Sequence, residues 1–354
     1  MLENKDIFYL KRCFQLAQIG IGKVSPNPAV GAVIVHDDKI IGEGFHEYFG
    51  GAHAEVVAVN NVSEKNKALL PYSTIYVNLE PCFHYGKTPP CVDLILREKI
   101  QRVVIAVPDP NPKVGGKSIE KLKAASVQVD IMQSHDWTTE MLNLKRATLS
   151  PFLTNIQKDR PYIILKWAQT PDGIIGRHNA RINISNESTQ RLVHKWRSES
   201  DAVIVGTQTI VTDNPNLDNR FYFGKSPIRI TFDKTQHLPF NLNIFNKKQE
   251  TIVFTANENA PEPFFFLKNY GKEEALKDIL NSLSAKNVGI IFIEGGATLL
   301  NSFISAGLWD EARIITGKEN LFSGIQAPRL NKGFLMKTEN FTGDEIKYWS
   351  RDAF

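Results

Sequence analysis

Apolar positions in the first part of the chain alternate between helical and extended periods. In DIFYLKRCFQLAQIG, Leu10, Cys13, Phe14 and Ala17 share one helical face, which predicts a helix with Asp6 as its N-cap and a Cys13 that packs rather than reacts. AVGAVIV (29–35) has the length of a buried strand, and Asp37-Asp38 turns the chain into a partner, KIIGEG. A helical stretch starts near His53 and runs through AEVVAVNNV. STIYVNL reads as a strand that ends at Glu80-Pro81-Cys82, and CVDLILREK as a helix after Pro89-Pro90. RVVIAVPDP is a strand with a turn behind it, GKSIEKLKAA a helix, VQVDIM a strand, and about 136–149 a further helix. Strands alternating with helices predict an α/β domain over residues 1–150.

The pattern restarts after Gln157-Lys158-Asp159-Arg160-Pro161. YIILKWAQ, DAVIVG, PIRITFD, ETIVFT, VGIIFIEGG and EARIITG read as strands. ESTQRLVHKWRS, capped by Ser185 or Asn186, EEALKDILNSL and TLLNSFISAG read as helices. This predicts a second α/β domain over residues 160–354, without repeats or low-complexity segments.

Composition narrows the class. The chain has 354 residues, which suits two domains at roughly 100–200 residues each. It is 42% hydrophobic and 23% charged, ordinary for a globular protein. Its net charge of +4 is not gathered into a Lys/Arg block, so a phosphorylated small molecule is expected as partner rather than nucleic acid. No apolar run reaches the roughly 18–20 residues of a membrane span, and the N-terminus lacks a signal-peptide pattern, so no membrane partner and a cytoplasmic location are expected. The odd, low cysteine count (Cys13, Cys82 and Cys91) points to reduced thiols. A homo-oligomer stays open.

His53-Ala54-Glu55 and Pro81-Cys82 with Cys91 carry the chemistry. Zinc takes His nitrogen and Cys sulfur, and a catalytic site leaves its fourth position to water. His53, Cys82 and Cys91 supply three ligands, and Glu55 at a helix start faces that water. Zinc lowers the pKa of a bound water to about 7, which suits attack on a ring carbon bearing an amino group, with the carboxylate moving protons. The zinc-deaminase signature H-x-E…P-C-x-x-C is altered here, because FHYGKTPP separates the two cysteines. His84 offers a competing reading, a closed structural shell of two cysteines and two histidines in which Glu55 is idle. Among nearby polar residues, Asn27 offers an amide donor and acceptor, His46 is a further candidate contact, and His84 with the cation of Lys87 suits an anionic group.

In order, Ser25-Pro26-Asn27-Pro28-Ala29-Val30-Gly31, Gly42-Glu43-Gly44-Phe45-His46, Gly51-Ala52-His53-Ala54-Glu55, the segment from Pro81 to Cys91 and Asp109-Pro110-Asn111-Pro112 resemble the bifunctional riboflavin-biosynthesis deaminase–reductase family. The resemblance runs from about residue 6 to about residue 330. It implies a cytidine-deaminase-like three-layer α/β/α domain followed by a dihydrofolate-reductase-like α/β domain, with Zn2+ and NADPH as cofactors. It further implies deamination of 2,5-diamino-6-ribosylamino-4-pyrimidinone 5′-phosphate, then reduction of the ribosyl group to ribityl.

The second domain is quieter by itself. It has no G-x-G-x-x-G, and its strongest signal is Phe292-Ile293-Glu294-Gly295-Gly296-Ala297-Thr298, a strand running through glycines into a helix start that can bind an anion. The segments from Lys166 to Gly173, from His194 to Arg197 and from Gly206 to Arg220 resemble the family's reductase half. The resemblance places Ala168, Ile182, Thr209, Asp213, Gly296, Ala297 and Thr298 at NADPH, and Ala180, Arg197, Leu217, Arg220 and Glu294 at the substrate. Two departures stand out: the family's S-x-W-I is Ala180-Arg181-Ile182-Asn183-Ile184-Ser185 here, and Ile174 replaces the usual cation. They leave a deaminase with a degenerate second domain as the alternative. The remaining rivals are a nucleic-acid-editing deaminase, which needs basic and aromatic residues interleaved in the second half, and a zinc-stabilised binding module.

Overall fold

The structure, a computed structural model, describes residues 2–85, 89–111, 115–178, 180, 182–271 and 274–352. The chain divides into two units, Met1–Asp159 and Arg160–Phe354.

The first unit contains α1 (Asn4–Ile19), β1 (Gly31–His36), β2 (Lys39–Phe45), α2 (Ala54–Asn60), β3 (Thr74–Leu79), α3 (Cys91–Arg97), β4 (Arg102–Val107), α4 (Lys117–Ala124), β5 (Gln128–Ile131), α5 (Thr139–Thr148) and α6 (Ser150–Lys158). The sheet order is β2-β1-β3-β4-β5. β1 is antiparallel to β2 and β3, and β3, β4 and β5 run parallel. Successive residues of a strand point to opposite faces. Ala32, Ile34, Ile75, Val77, Val103 and Ile105 therefore pack with α2, α3 and α4. Val33, Val35, Tyr76, Val104 and Ala106 pack with α1 and α5 on the other face. This is the expected three-layer α/β/α arrangement.

α1 corrects one expectation. Its N-cap is Glu3, and Asp6 lies inside the first turn, where its carboxylate accepts from the Glu3 backbone N–H at 3.0 Å in a capping box. Asp6 is completely buried because it also accepts from Tyr76 Oη and from two nitrogens of Arg102. Cys13 is buried as expected.

The second unit contains β6 (Tyr162–Gln169), β7 (Ile174–Gly176), α7 (Glu187–Ser198), β8 (Ala202–Ile204), α8 (Thr207–Asp213), β9 (Ile228–Phe232), β10 (Thr251–Thr255), β11 (Phe264–Phe266), α9 (Ala275–Ala285), β12 (Ile290–Glu294), α10 (Ala297–Ser305), β13 (Glu311–Thr316), β14 (Ile325–Gln326), β15 (Phe334–Phe341) and β16 (Asp344–Ser350). The main sheet runs β11-β10-β9-β8-β12-β6-β13-β16-β15, parallel up to β13 and antiparallel beyond it. α9 and α10 cover one face around Ile163, Leu165, Ile291 and Ile293, while α7 and α8 cover the other around Ile164, Val203 and Phe292. A mainly parallel sheet closed by a terminal hairpin is the arrangement expected of a dihydrofolate-reductase-like domain. Asn186 caps α7, its side chain accepting from Thr189 N.

Candidate active sites

Topology brings the first set of residues to one end of the first sheet. Because β1 is antiparallel to β3, the start of β1 lies beside the end of β3. Asn78 at that end is fully buried; its amide oxygen accepts from Gly31 N at 2.9 Å and its amide nitrogen donates to Ala29 O at 3.1 Å. The loop carrying Asn27 is thereby tied to the strand that leads into Cys82. α2 is seated by glycine: a Cβ on Gly44 would stand 2.5 Å from Ala58 N, so a side chain there would push the helix away.

His53 is the N-cap of α2, Glu55 lies in its first turn, Cys82 follows β3 and Cys91 opens α3. His53, Cys82 and Cys91 place one ligand atom each within 4.8 Å of one another. His53 Nδ1 lies 3.4 Å from Cys82 Sγ and 3.3 Å from Cys91 Sγ, and Cys91 N donates to Cys82 Sγ at 3.2 Å. Tetrahedral zinc, with bonds of about 2.0–2.3 Å, sets ligand atoms roughly 3.5 Å apart, so the triad fits the ion. One imidazole and two thiols are a donor set that zinc takes. The hydrogen bond from Cys91, opposed by burial and helped by His53, pulls the Cys82 thiol down to about 4. That thiolate in turn raises His53 to about 9 through their hydrogen bond. Burial and the Cys82 charge raise Glu55 to about 6. Glu55 is 3% exposed and interacts with His53, Cys82 and Cys91.

His84 is exposed and stands outside the ligand cluster, which removes the closed-shell reading. Lys87 lies outside the described residues. His46 is buried with both ring nitrogens engaged inside the protein. Nδ1 lies 2.9 Å from Ala52 O, an acceptor, so Nδ1 carries the proton. Nε2 then accepts from the Asn27 amide at 3.2 Å, which leaves the Asn27 oxygen to accept from a ligand. Burial lowers the His46 pKa.

In the second unit a cavity of about 450 Å³ opens at the C-terminal ends of the parallel strands, the usual ligand position in such sheets. It gathers Ala168, Ile182, Thr209, Asp213 and Gly296 with Arg197, Leu217, Arg220 and Glu294. Ala180 is exposed and pairs with Arg177 away from the lining. Ala297 opens α10, and Thr298 faces an adjoining cavity of about 790 Å³ that shares Thr209 and Gly296 with the first. A Cβ on Gly296 would meet nothing nearer than Thr209 Oγ1 at 4.0 Å, so the helix start is open to a phosphate. These residues fit a dinucleotide.

Lys166 and His194 also line this cavity, and the sequence reading gave neither a role. Lys166 and Glu294 are register neighbours on β6 and β12, with Lys166 Nζ 3.7 Å from Glu294 Oε2. Burial lowers the Lys166 pKa despite that neighbour. His194 on α7 accepts the Arg220 backbone N–H on Nδ1 at 3.3 Å, and burial with Arg197 and Arg220 nearby pushes its pKa down to about 4. Ile174 is buried, so the departure at that position supplies core rather than charge. The cavity keeps its charged and small residues, which disfavours a degenerate second domain.

Comparison with known proteins agrees with both halves. Residues 3–107 match the cytidine and deoxycytidylate deaminase zinc-binding region, and residues 161–331 match the RibD C-terminal domain. The riboflavin biosynthesis protein RibD of Aquifex aeolicus is 37% identical over 99% of this chain and 100% of its own length. The RibD protein of Synechocystis is 36% identical, over 91% of this chain and 87% of its own. A solved structure of a diaminohydroxyphosphoribosylaminopyrimidine deaminase/5-amino-6-(5-phosphoribosylamino)uracil reductase from Thermotoga maritima is 31% identical and superimposes with a TM-score of 0.86, covering 98% of this chain and 99% of that one.

Proposed function

The chain belongs to the bifunctional riboflavin-biosynthesis deaminase–reductase family, and on that premise we propose how its residues divide two consecutive reactions. The first unit deaminates 2,5-diamino-6-ribosylamino-4-pyrimidinone 5′-phosphate. The second reduces the ribosyl group of the product to ribityl, giving 5-amino-6-ribitylamino-uracil 5′-phosphate. The observation that carries this reading is the His53, Cys82 and Cys91 triad with buried Glu55 beside it.

Zinc bound to the triad supplies a Lewis acid that brings the pKa of water to about 7. Glu55 takes the proton of the attacking water and returns it to the amino nitrogen, which leaves as ammonia. The Asn27 oxygen, fixed by His46, accepts from an N–H on the pyrimidinone edge. Lys87 and His84 on the inserted loop answer the 5′-phosphate.

NADPH bound along Gly296, Ala297 and Thr298 supplies the hydride in the second unit. Ala168, Ile182, Thr209 and Asp213 line its path. Arg220 holds the substrate phosphate, and Arg197, held by Glu294, presents the rest of its guanidinium to the same ligand. Leu217 closes the wall, and Ala180, outside the lining, takes no part. The free cysteines suit a reducing cytoplasm, and no helix of the described residues is long and apolar enough to cross a membrane.

Incubation with the diaminopyrimidinone phosphate, followed by mass spectrometry, tests the reading. Without NADPH the amino group is exchanged for oxygen and the reaction stops. With NADPH the product gains two hydrogens. Reduction without deamination, or no turnover, contradicts it.

A further inference from the structure

Asn214-Pro215-Asn216-Leu217 forms one wall of the second unit's cavity, and its backbone is held in an unfavourable shape. Asn214 has φ 41° and Leu217 φ 54°. Asparagine tolerates this left-handed region, but the Cβ of leucine crowds the following carbonyl oxygen there, so the conformation persists only where the surroundings enforce it.

The enforcing contacts come from the loop of residues 243–249. Gln249 Nε2 donates to Leu217 O at 3.2 Å and to Pro227 O at 3.0 Å. At the other end of the wall, Asn243 Nδ2 donates to Asn214 O at 2.7 Å and Asn243 N donates to Asn214 Oδ1 at 2.7 Å. This loop is fixed from behind by Arg229 on β9, whose residue is 1% exposed. The Arg229 guanidinium donates to Thr251 Oγ1, Asn243 O, Asn246 Oδ1 and Gln249 O, neutral acceptors throughout. What the wall presents is polar. Asp218, next to Leu217, accepts from Arg197 on its backbone oxygen at 3.2 Å, and Arg220 follows two residues on.

We propose that Gln249, backed by Arg229, is a positioning residue of the reductase, holding Leu217 left-handed so that the wall keeps Asp218 and Arg220 in register with Arg197. The inference rests on this cavity being the reductase site.

The test uses the full chain and both reactions. Each hydrogen bond is worth about 2- to 12-fold and Gln249 makes two, so Q249A is expected to raise the reductase KM for the deaminated ribosyl substrate about 5- to 150-fold. Its kcat should stay within about threefold, the pattern of lost substrate binding. Deamination should be unchanged. Glycine adopts positive φ freely, so in an L217G background the added effect of Q249A should fall to about twofold or less. Hydrogen exchange at the amides of residues 216–218, read without substrate, should speed about tenfold or more in Q249A. Wild-type KM together with wild-type exchange overturns the proposal, and so does an effect undiminished by L217G. R220A, measured alongside, separates the two levels. If R220A leaves the reductase untouched, the cavity assignment fails; if R220A impairs it and Q249A does not, only the positioning role fails.

Discussion

Arg197 and Glu294 meet as a two-pronged pair, Nε to Oε1 at 2.5 Å and Nη2 to Oε2 at 3.0 Å, both side chains almost buried. With Arg197 gone, the nearest cation to Glu294 is Lys166 Nζ at 3.7 Å. Breaking a buried pair by removing one partner costs about 3–5 kcal/mol. R197A is therefore expected to destabilise the second unit by that order as well as to impair reduction, with deamination intact. R197K keeps the charge but not the fork and should recover only part. Denaturant unfolding with both assays decides this; wild-type stability and reduction in R197A would show the pair to be idle.

The metal is expected at one zinc per chain. Replacing Cys91 with Ser should cut zinc content and deamination together and spare reduction, because the ligands lie in the first unit only. Elemental analysis of protein purified without chelators checks the stoichiometry. A metal content near zero in active wild type would remove the zinc reading.

Gly296 is the N-cap of α10, with clear space where a side chain would stand. G296V should fill that space, raise the KM for NADPH and leave deamination alone. Unchanged NADPH kinetics would place the cofactor phosphate elsewhere.

His194 gives the second unit a pH dependence of known sign. Its folded pKa, pushed down to about 4 by burial and by Arg197 and Arg220, lies below the unfolded value of about 6.5. The unfolded chain therefore takes up the proton first as pH falls. Stability is fully present above about pH 6.5 and declines down to about pH 4, by about 3 kcal/mol in all. H194F should lack this component when unfolding is measured at neutral pH and near pH 4.5. An equal acid loss in both proteins would assign it to other groups.

Some of this was legible in the sequence and some was not, for physical reasons. The candidate zinc residues His53, Cys82 and Cys91, with Glu55, sit at the ends of strongly patterned elements, so the sequence could single them out despite the altered cysteine spacing. Asp6 was misread as a cap because a buried ion pair with Arg102, distant in sequence, draws it into the first turn. The hairpin of β15 and β16 escaped notice: β15 is mostly exposed, so burial leaves little pattern along it, although Thr342-Gly343, both at positive φ, carry the turn. Gln249 has no motif, and His194 lies in a family-like segment that does not reveal its role, since their partners at Leu217 and Arg220 are brought to them only by the fold.

If two separate sites carry out the two steps, the variant Glu55→Gln separates the activities. The substitution keeps the shape of a buried side chain and removes its proton acceptor. Such a group typically contributes 10²–10⁴-fold, and here it serves both proton transfers. Fed the diaminopyrimidinone phosphate, E55Q should lose at least about 10²-fold in deamination with zinc still bound. Fed the already deaminated ribosyl compound and NADPH, it should reduce it at the wild-type rate. Loss of both activities in a folded, zinc-loaded E55Q would contradict the account.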